Sequence, residues 1–241
     1  MQDIEYRYVL GVKFLVGAYP EAKVLLDQGA LMVVPAAPAL ATIKDDKLYY
    51  EALLNSDFAI ADSGFMVILL KILKGVRLRK FSGLEFLRSF LADESVKPGC
   101  KLFVVDPSEQ ESMTNHKYLL ANGFNVNEGD HYIAPFYGPK VEDKALLDIL
   151  EERKPNYILL NLGGGVQEKL GYYLKSNLSY RPGIICTGAA IAFLTGNQAK
   201  IPPIIDRMYL GWLFRILYEP KKFLPRYLKG FALFLLILTE K

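Results

Sequence analysis

Short apolar runs that do not alternate with polar residues recur along the chain, and each stops at a proline, an aspartate or a glycine. Leu31-Met32-Val33-Val34-Pro35, Phe58-Ala59-Ile60-Ala61-Asp62, Leu102-Phe103-Val104-Val105-Asp106, Tyr157-Ile158-Leu159-Leu160-Asn161-Leu162-Gly163 and Gly183-Ile184-Ile185-Cys186-Thr187-Gly188 are the clearest. A strand with one wet face alternates apolar and polar side chains, so a run without alternation must be covered on both faces. Amphipathic stretches of helical period separate the runs. The whole reads as alternating strands and helices, the pattern of a Rossmann-like, parallel-sheet α/β core.

The same reading places a first strand over residues 8–14 and short strands over 124–126, 157–162 and 183–188. Helices are expected over 19–28, 65–74, 108–122 and 141–154, with a loop and a helix within 36–55. Ser82 starts a further helix as its N-cap, with Glu85 completing a capping box. The pattern ends near Gly196, which divides the chain into an α/β core of residues 1–196 and an appendage of 197–241.

Composition narrows the class. With 51% hydrophobic residues over 241 positions, the chain buries enough surface to offset the entropy of ordering, which excludes intrinsic disorder. Cys100 and Cys186 are too few and too far apart for a disulfide framework, which points to a reducing compartment. The opening Met1-Gln2-Asp3-Ile4-Glu5 lacks the basic and apolar regions of a secretory signal, so a cytoplasmic location is expected.

The net charge of +3 is unevenly spread. Residues 198–241 hold eight basic and three acidic side chains, a net +5, leaving −2 on the first 197 residues. Tyr209, Trp212, Phe214, Tyr218, Phe223, Tyr227, Phe231 and Phe234 lie in the same segment. A basic, aromatic tail on an acidic body suggests a nucleic-acid or membrane-surface partner. Residues 231–238 are continuously apolar but far shorter than the ~20 residues of a membrane span, and Lys221, Lys222, Arg226 and Lys229 interrupt any longer window. Helical pieces over 205–218 and 222–239, lying in an interface, fit this pattern.

Parallel sheets bind ligands beyond the carboxyl ends of their strands, near helix N-termini that favour anions. Four turns fall there: Pro35-Ala36-Ala37, Asp62-Ser63-Gly64, Asp106-Pro107-Ser108 and Gly163-Gly164-Gly165-Val166-Gln167. Asp62 is either a general base or the N-cap of the helix that follows it, and Asp106 has the same two readings, with the cap favoured by Pro107. Three glycines let backbone approach a ligand, and Gln167 offers it a donor and an acceptor. His116 and His131 have no Cys, His or carboxylate at metal-ligand spacing, and no Ser-His-Asp set is apparent. Gly17-Ala18-Tyr19-Pro20 is not the GxGxxG of a dinucleotide oxidoreductase.

Three blocks taken together resemble the WecG/TagA/CpsF glycosyltransferase family. Residues 55–91 carry a strand, Asp62, an apolar helix, Gly75, basic residues and Ser82-Gly83-Leu84. Asn161-Leu162-Gly163-Gly164-Gly165-Val166-Gln167-Glu168-Lys169 is similar to the family's glycine turn. Residues 201–228, with Trp212, Arg215, Glu219-Pro220, Lys221, Arg226 and Tyr227, resemble its C-terminal signature. The resemblance implies an inverting, metal-independent transferase without cofactor. It would move an N-acetylmannosamine-type or related hexose from a UDP-sugar to a polyprenyl-diphosphate-linked acceptor at the inner membrane face. By position, Asp62 matches the catalytic base, and Gln167 with Gly163, Gly164 and Gly165 matches the substrate-binding turn; Ser63, Lys80 and Gly83 fall in the first block beside the donor. Arg215, Lys221, Lys222, Arg226 and Trp212 match the acceptor- and membrane-contacting tail. No nucleic acid is implied, and a homo-oligomer is compatible. The sequence departs from the family where Pro35-Ala36-Ala37-Pro38 replaces a Thr-x-Asn-like turn, Ser63 a glycine, and Gly211 a glutamate. The alternative is an inactive, membrane-associated nucleotide-sugar-binding protein.

Overall fold

Leu102 and Val104 turn to one face of strand β5 (Leu102–Asp106) and Phe103 and Val105 to the other, and all four are buried. The computed structural model, which describes residues 4–97, 99–196 and 232–239, shows what covers them. In chain order the elements are β1 (Glu5–Val9), β2 (Val12–Val16), α1 (Tyr19–Asp27), β3 (Leu31–Val33), α2 (Ala37–Ala41), α3 (Lys47–Leu54), β4 (Phe58–Ala59), α4 (Gly64–Lys74) and α5 (Gly83–Ala92). After β5 come α6 (Glu109–Ala121), β6 (His131–Ile133), α7 (Lys144–Arg153), β7 (Tyr157–Leu160), α8 (Val166–Asn177), β8 (Gly183–Cys186), α9 (Ala190–Thr195) and α10 (Ala232–Thr239).

The strands form one sheet in the order β1-β2-β4-β3-β8-β7-β5-β6. All pairs are parallel except β1 with β2. One face packs on Tyr49 and Leu53 of α3, Met66 and Leu70 of α4, Leu146 and Leu150 of α7, and Leu170 and Leu174 of α8. The other face packs on Ala22 and Leu26 of α1, Phe86 and Phe90 of α5, Leu119 of α6, and Ile191 of α9. Two helical layers thus account for the missing alternation in the strand sequences. The α/β core expected from the sequence is the fold observed.

Three expectations are corrected. Residues 8–14 are not one strand: Leu10 (φ 51°) and Gly11 (φ 74°) make a two-residue turn, and β1 folds back antiparallel on β2. Both turn residues take positive φ, the geometry that matches strand twist in a tight hairpin. Residues 124–126 pair with no strand; Phe124 and Val126 plug the core, and the partner of β5 is β6, which starts at His131. β7 and β8 stop at Leu160 and Cys186, so Asn161-Leu162 and Thr187-Gly188 belong to the loops beyond the sheet.

The connection from β5 runs through α6 outward to β6, whereas that from β7 runs through α8 back to β8. α6 and α8 therefore lie on opposite faces, and the connections diverge beyond the paired strands β5 and β7. Such a reversal leaves a crevice at the carboxyl ends of the two strands. At the far side of the sheet, α10 packs against α2 and α4, with Leu233 and Ile237 fully buried in the core. This part of the appendage is joined to the body.

Candidate functional site

The loops that leave β4, β3, β8, β7 and β5 form one row along the carboxyl edge of the sheet. At the β4 end, Asp62 is not the cap of α4, because Ser63 takes that role, its Oγ accepting from the N–H of Met66 at 3.2 Å. Asp62 reaches a different helix: its Oδ1 accepts from the N–H of Gly83, the first residue of α5, at 3.1 Å. A Cβ on Gly83 would sit 3.4 Å from Val34 Cγ1 and 3.6 Å from the Thr187 carbonyl oxygen, so α5 begins against the ends of β3 and β8. The half-buried Asp62 carboxylate is thereby held where three strand ends meet a helix N-terminus, an environment that favours negative charge. Lys80 is half-buried in the loop just before α5.

In the middle of the row, Gly165 has φ 90° and starts α8. Its N–H donates to Glu168 Oε2 at 2.6 Å, and Gln167 Nε2 donates to Glu168 Oε1 at 3.1 Å. Gln167 Oε1 accepts from the N–H of Gly188 at 2.7 Å, tying the β7 loop to the β8 loop. Both side chains are buried, and burial pushes the Glu168 carboxyl up. The Gln167 amide is thus part of the frame beneath the loops, while Gly163 and Gly164 are exposed with nothing within 4 Å of a Cβ at either. The Thr187 hydroxyl, between Asp62 and this turn, is buried and has no hydrogen-bond partner.

The β5 end holds a polar cluster that sequence reasoning missed. Ser108 caps α6, its Oγ accepting from the N–H of Glu111 at 3.3 Å, so the cap reading of Asp106 also fails. Asp106 is fully buried; its Oδ1 accepts from Asn115 Nδ2 at 2.7 Å and Asn161 Nδ2 at 2.8 Å. Oδ2 lies 3.3 Å from His131 Nδ1, and His131 Nε2 lies 3.1 Å from His116 Nδ1. The pairing of Val104 with His131 across β5 and β6 brings these groups together, and no local spacing announces it. Among the described residues no group of three or more His, Cys, Asp or Glu side chains is placed to hold a metal ion. Beside Asp106, a pocket of about 210 Å³ opens in the β5/β7 crevice, lined by Pro107, Glu111, Asn161, Leu162, Gly163 and, from α9, Ala192.

The edge therefore offers a carboxylate on a helix N-terminus, a glycine turn and a pocket, strung in a line as an extended ligand requires. A family model, the glycosyl transferase WecG/TagA/CpsF family, matches residues 8–241. The chain belongs to this family. No curated protein matches it. As a WecG/TagA/CpsF glycosyltransferase it serves cell-surface polysaccharide synthesis, with a nucleotide-sugar donor and an acceptor. Trp212, Arg215, Lys221, Lys222 and Arg226 fall within the match but outside the described residues. Among the described residues no helix is long and apolar enough to cross a membrane.

Proposed function

We propose that this chain transfers a hexose, of the N-acetylmannosamine type or a related sugar, from a UDP-sugar to a polyprenyl-diphosphate-linked acceptor with inversion at the anomeric carbon. The acceptor oxygen bonds to that carbon, the bond from carbon to the β-phosphate oxygen breaks, and UDP leaves with the electron pair. Asp62 receives the acceptor's proton. The observation that carries the reading is the Asp62 carboxylate held by the Gly83 N–H at the sheet edge. Such fixed placement of a base, with helix N-termini close by for the leaving diphosphate, is what the displacement needs. Arg215, Lys221, Lys222 and Arg226 supply further positive charge, and with Trp212 they dock the appendage on the inner membrane face. The scheme uses no metal and no cofactor.

Asp62→Asn should abolish UDP release from a UDP-sugar with lipid-linked acceptor while leaving UDP binding intact. Undiminished turnover would remove Asp62 from the base role. One observation favours a second reading, a binding protein without turnover: the turn after β3 opens α2 at Ala36 with no side-chain cap and offers no polar side chain to a donor sugar. Wild-type protein that binds UDP-sugars but releases no UDP would select it.

A further inference from the structure

α4 is apolar almost all the way round: from Gly64 to Lys74 only Lys71 and Lys74 are charged, and no other residue is polar. A helix of that kind is normally enclosed, by protein or by lipid. One side is enclosed, with Met66, Val67 and Leu70 buried in the core. The outer side is not. Ile68 is 38% and Ile72 73% exposed, and Lys71 is exposed beside them. A spacing of four puts the two isoleucines one turn apart on the same face. Next to α4 lies α10, which buries Leu233 and Ile237 but leaves Phe234 and Leu238 exposed. Large apolar side chains grouped on the outside of two packed helices mark a surface that meets something other than water.

Charge says what that is. Residues 64–82 hold five basic side chains, Lys71, Lys74, Arg77, Arg79 and Lys80, and no acidic one. Of these, Arg79 lies 3.6 Å from the Glu85 carboxylate, while Lys71 and Arg77 are exposed. A second copy seated here would bring this basic stretch against itself, because a two-fold contact uses the same patch twice. An anionic bilayer instead offers hydrocarbon for the isoleucines and negative headgroups for the lysines and arginines. The position fits as well. Asp62 directly precedes Ser63, the N-cap of α4, and at ~1.5 Å per residue Ile68 and Ile72 lie roughly 8 and 14 Å along the helix from that cap.

Resting on the lipid-linked acceptor of the reading above, we infer that the outer face of α4, continued by Phe234 and Leu238 of α10, lies on an anionic bilayer. Ile68 and Ile72 enter the boundary between headgroups and acyl chains, and Lys71 meets lipid phosphate. The α/β body then docks through its own helix, and the basic tail adds to that contact instead of supplying all of it. Docking on α4 also sets the distance of the reaction from the membrane, since it holds Asp62 within one helix length of the surface from which a lipid diphosphate projects.

The test is co-sedimentation of the full chain with phosphatidylglycerol or phosphatidylcholine vesicles. Wild type should bind the anionic vesicles, and more weakly as salt rises. Lys71→Glu changes the charge at the surface by two, and at about fivefold per charge it should weaken binding about 10- to 30-fold. Ile72→Glu removes an apolar contact and adds a repelled charge, so a loss of about tenfold or more is expected. Both side chains are exposed, so the urea midpoint and calorimetric UDP binding should stay at wild-type values. Vesicle binding by both variants at the wild-type level would overturn the α4 contact and leave a transferase docked by its tail. A dimer in solution that Ile72→Glu splits, with vesicle binding intact, would give the face to a second copy. Wild type that binds neither vesicle would overturn membrane docking altogether. Loss of anionic-vesicle binding in both variants would support the α4 contact even if wild type bound no UDP, a failure that falls on the donor reading alone.

Discussion

Leu233 and Ile237 of α10 are fully buried in the same core cluster as Met66, Val67 and Leu70 of α4, although they belong to the segment that sequence reading assigned to a membrane surface. Replacing either by alanine removes a large side chain from a packed core, and such changes cost about 2–5 kcal/mol. The two costs should not add. An eight-residue helix has little stability alone, so once its anchors are gone it undocks, and the double variant loses no more than the docking free energy of the helix. Each single variant is expected to lose about 2–4 kcal/mol and the double variant clearly less than the sum, read by urea unfolding without lipid. For a chain of this length each kcal/mol also lowers the melting temperature by about 2–4 °C. Phe234→Ser and Leu238→Ser serve as comparisons: these side chains are 37% and 47% exposed, and their loss should cost about 1–2 kcal/mol, less than that of the fully buried anchors. If Leu233→Ala and Ile237→Ala both lie within about 0.5 kcal/mol of wild type, α10 does not dock in solution and its assignment to the core is wrong.

Two further outcomes are expected. Gly165→Ala puts a side chain on φ 90° and ψ −39° where no atom crowds it, so its cost is backbone strain alone, about 1–3 kcal/mol by thermal or chemical unfolding; a neutral result would show that the turn relaxes. On acidification, the Glu21 carboxyl, lowered by the Ala18 N–H, and the Asp93 carboxyl, lowered first by the Ser95 hydroxyl and then by Tyr19, must be protonated below their ordinary range. Their contribution is present above the unfolded carboxylate values near pH 4 and is lost as pH falls through the lower folded values, so stability followed from pH 6 to 2 should decline below about pH 4. Stability that stays level over that interval would refute the linkage.

The sheet was legible because a parallel strand covered on both faces has one signature, an unbroken apolar run, and Leu102-Phe103-Val104-Val105 shows it plainly. What misled was burial without pairing. Phe124 and Val126 are as buried as strand residues but join no ladder, while β6, at the sheet edge, carries a histidine and a tyrosine and gives little signal. The hairpin was hidden because Leu10 adopts a left-handed conformation that sequence assigns to Gly, Asn or Asp. At the site, Asp62-Ser63 and Asp106-Pro107-Ser108 each offer two possible caps one or two residues apart, and the serines take the helices. The freed carboxylates go to partners far along the chain, Asp62 to Gly83 and Asp106 to Asn161, contacts that no periodicity encodes. Asp62 was nevertheless found as a candidate, since a carboxylate at a strand end is itself the signal. The Asp106 cluster was not, since asparagines and histidines scattered over three elements resemble surface residues until the fold collects them.

The hairpin at the start of the sheet bears on solubility. Without β1, the outermost strand of a parallel ladder would be β2, with buried Val12 and Phe14 and an open row of amides ready to template another chain. β1 closes that row and presents Glu5, Arg7 and Tyr8 outward, while the opposite rim ends in a strand of only three residues. Among the described residues neither rim is a long apolar strand, which disfavours joining of copies edge to edge. Parallel sheets pair late and slowly because their contacts are distant in sequence. A locally formed hairpin of adjacent strands would sheathe the vulnerable side early, guarding newly made protein against aggregation before the rest of the sheet is in place.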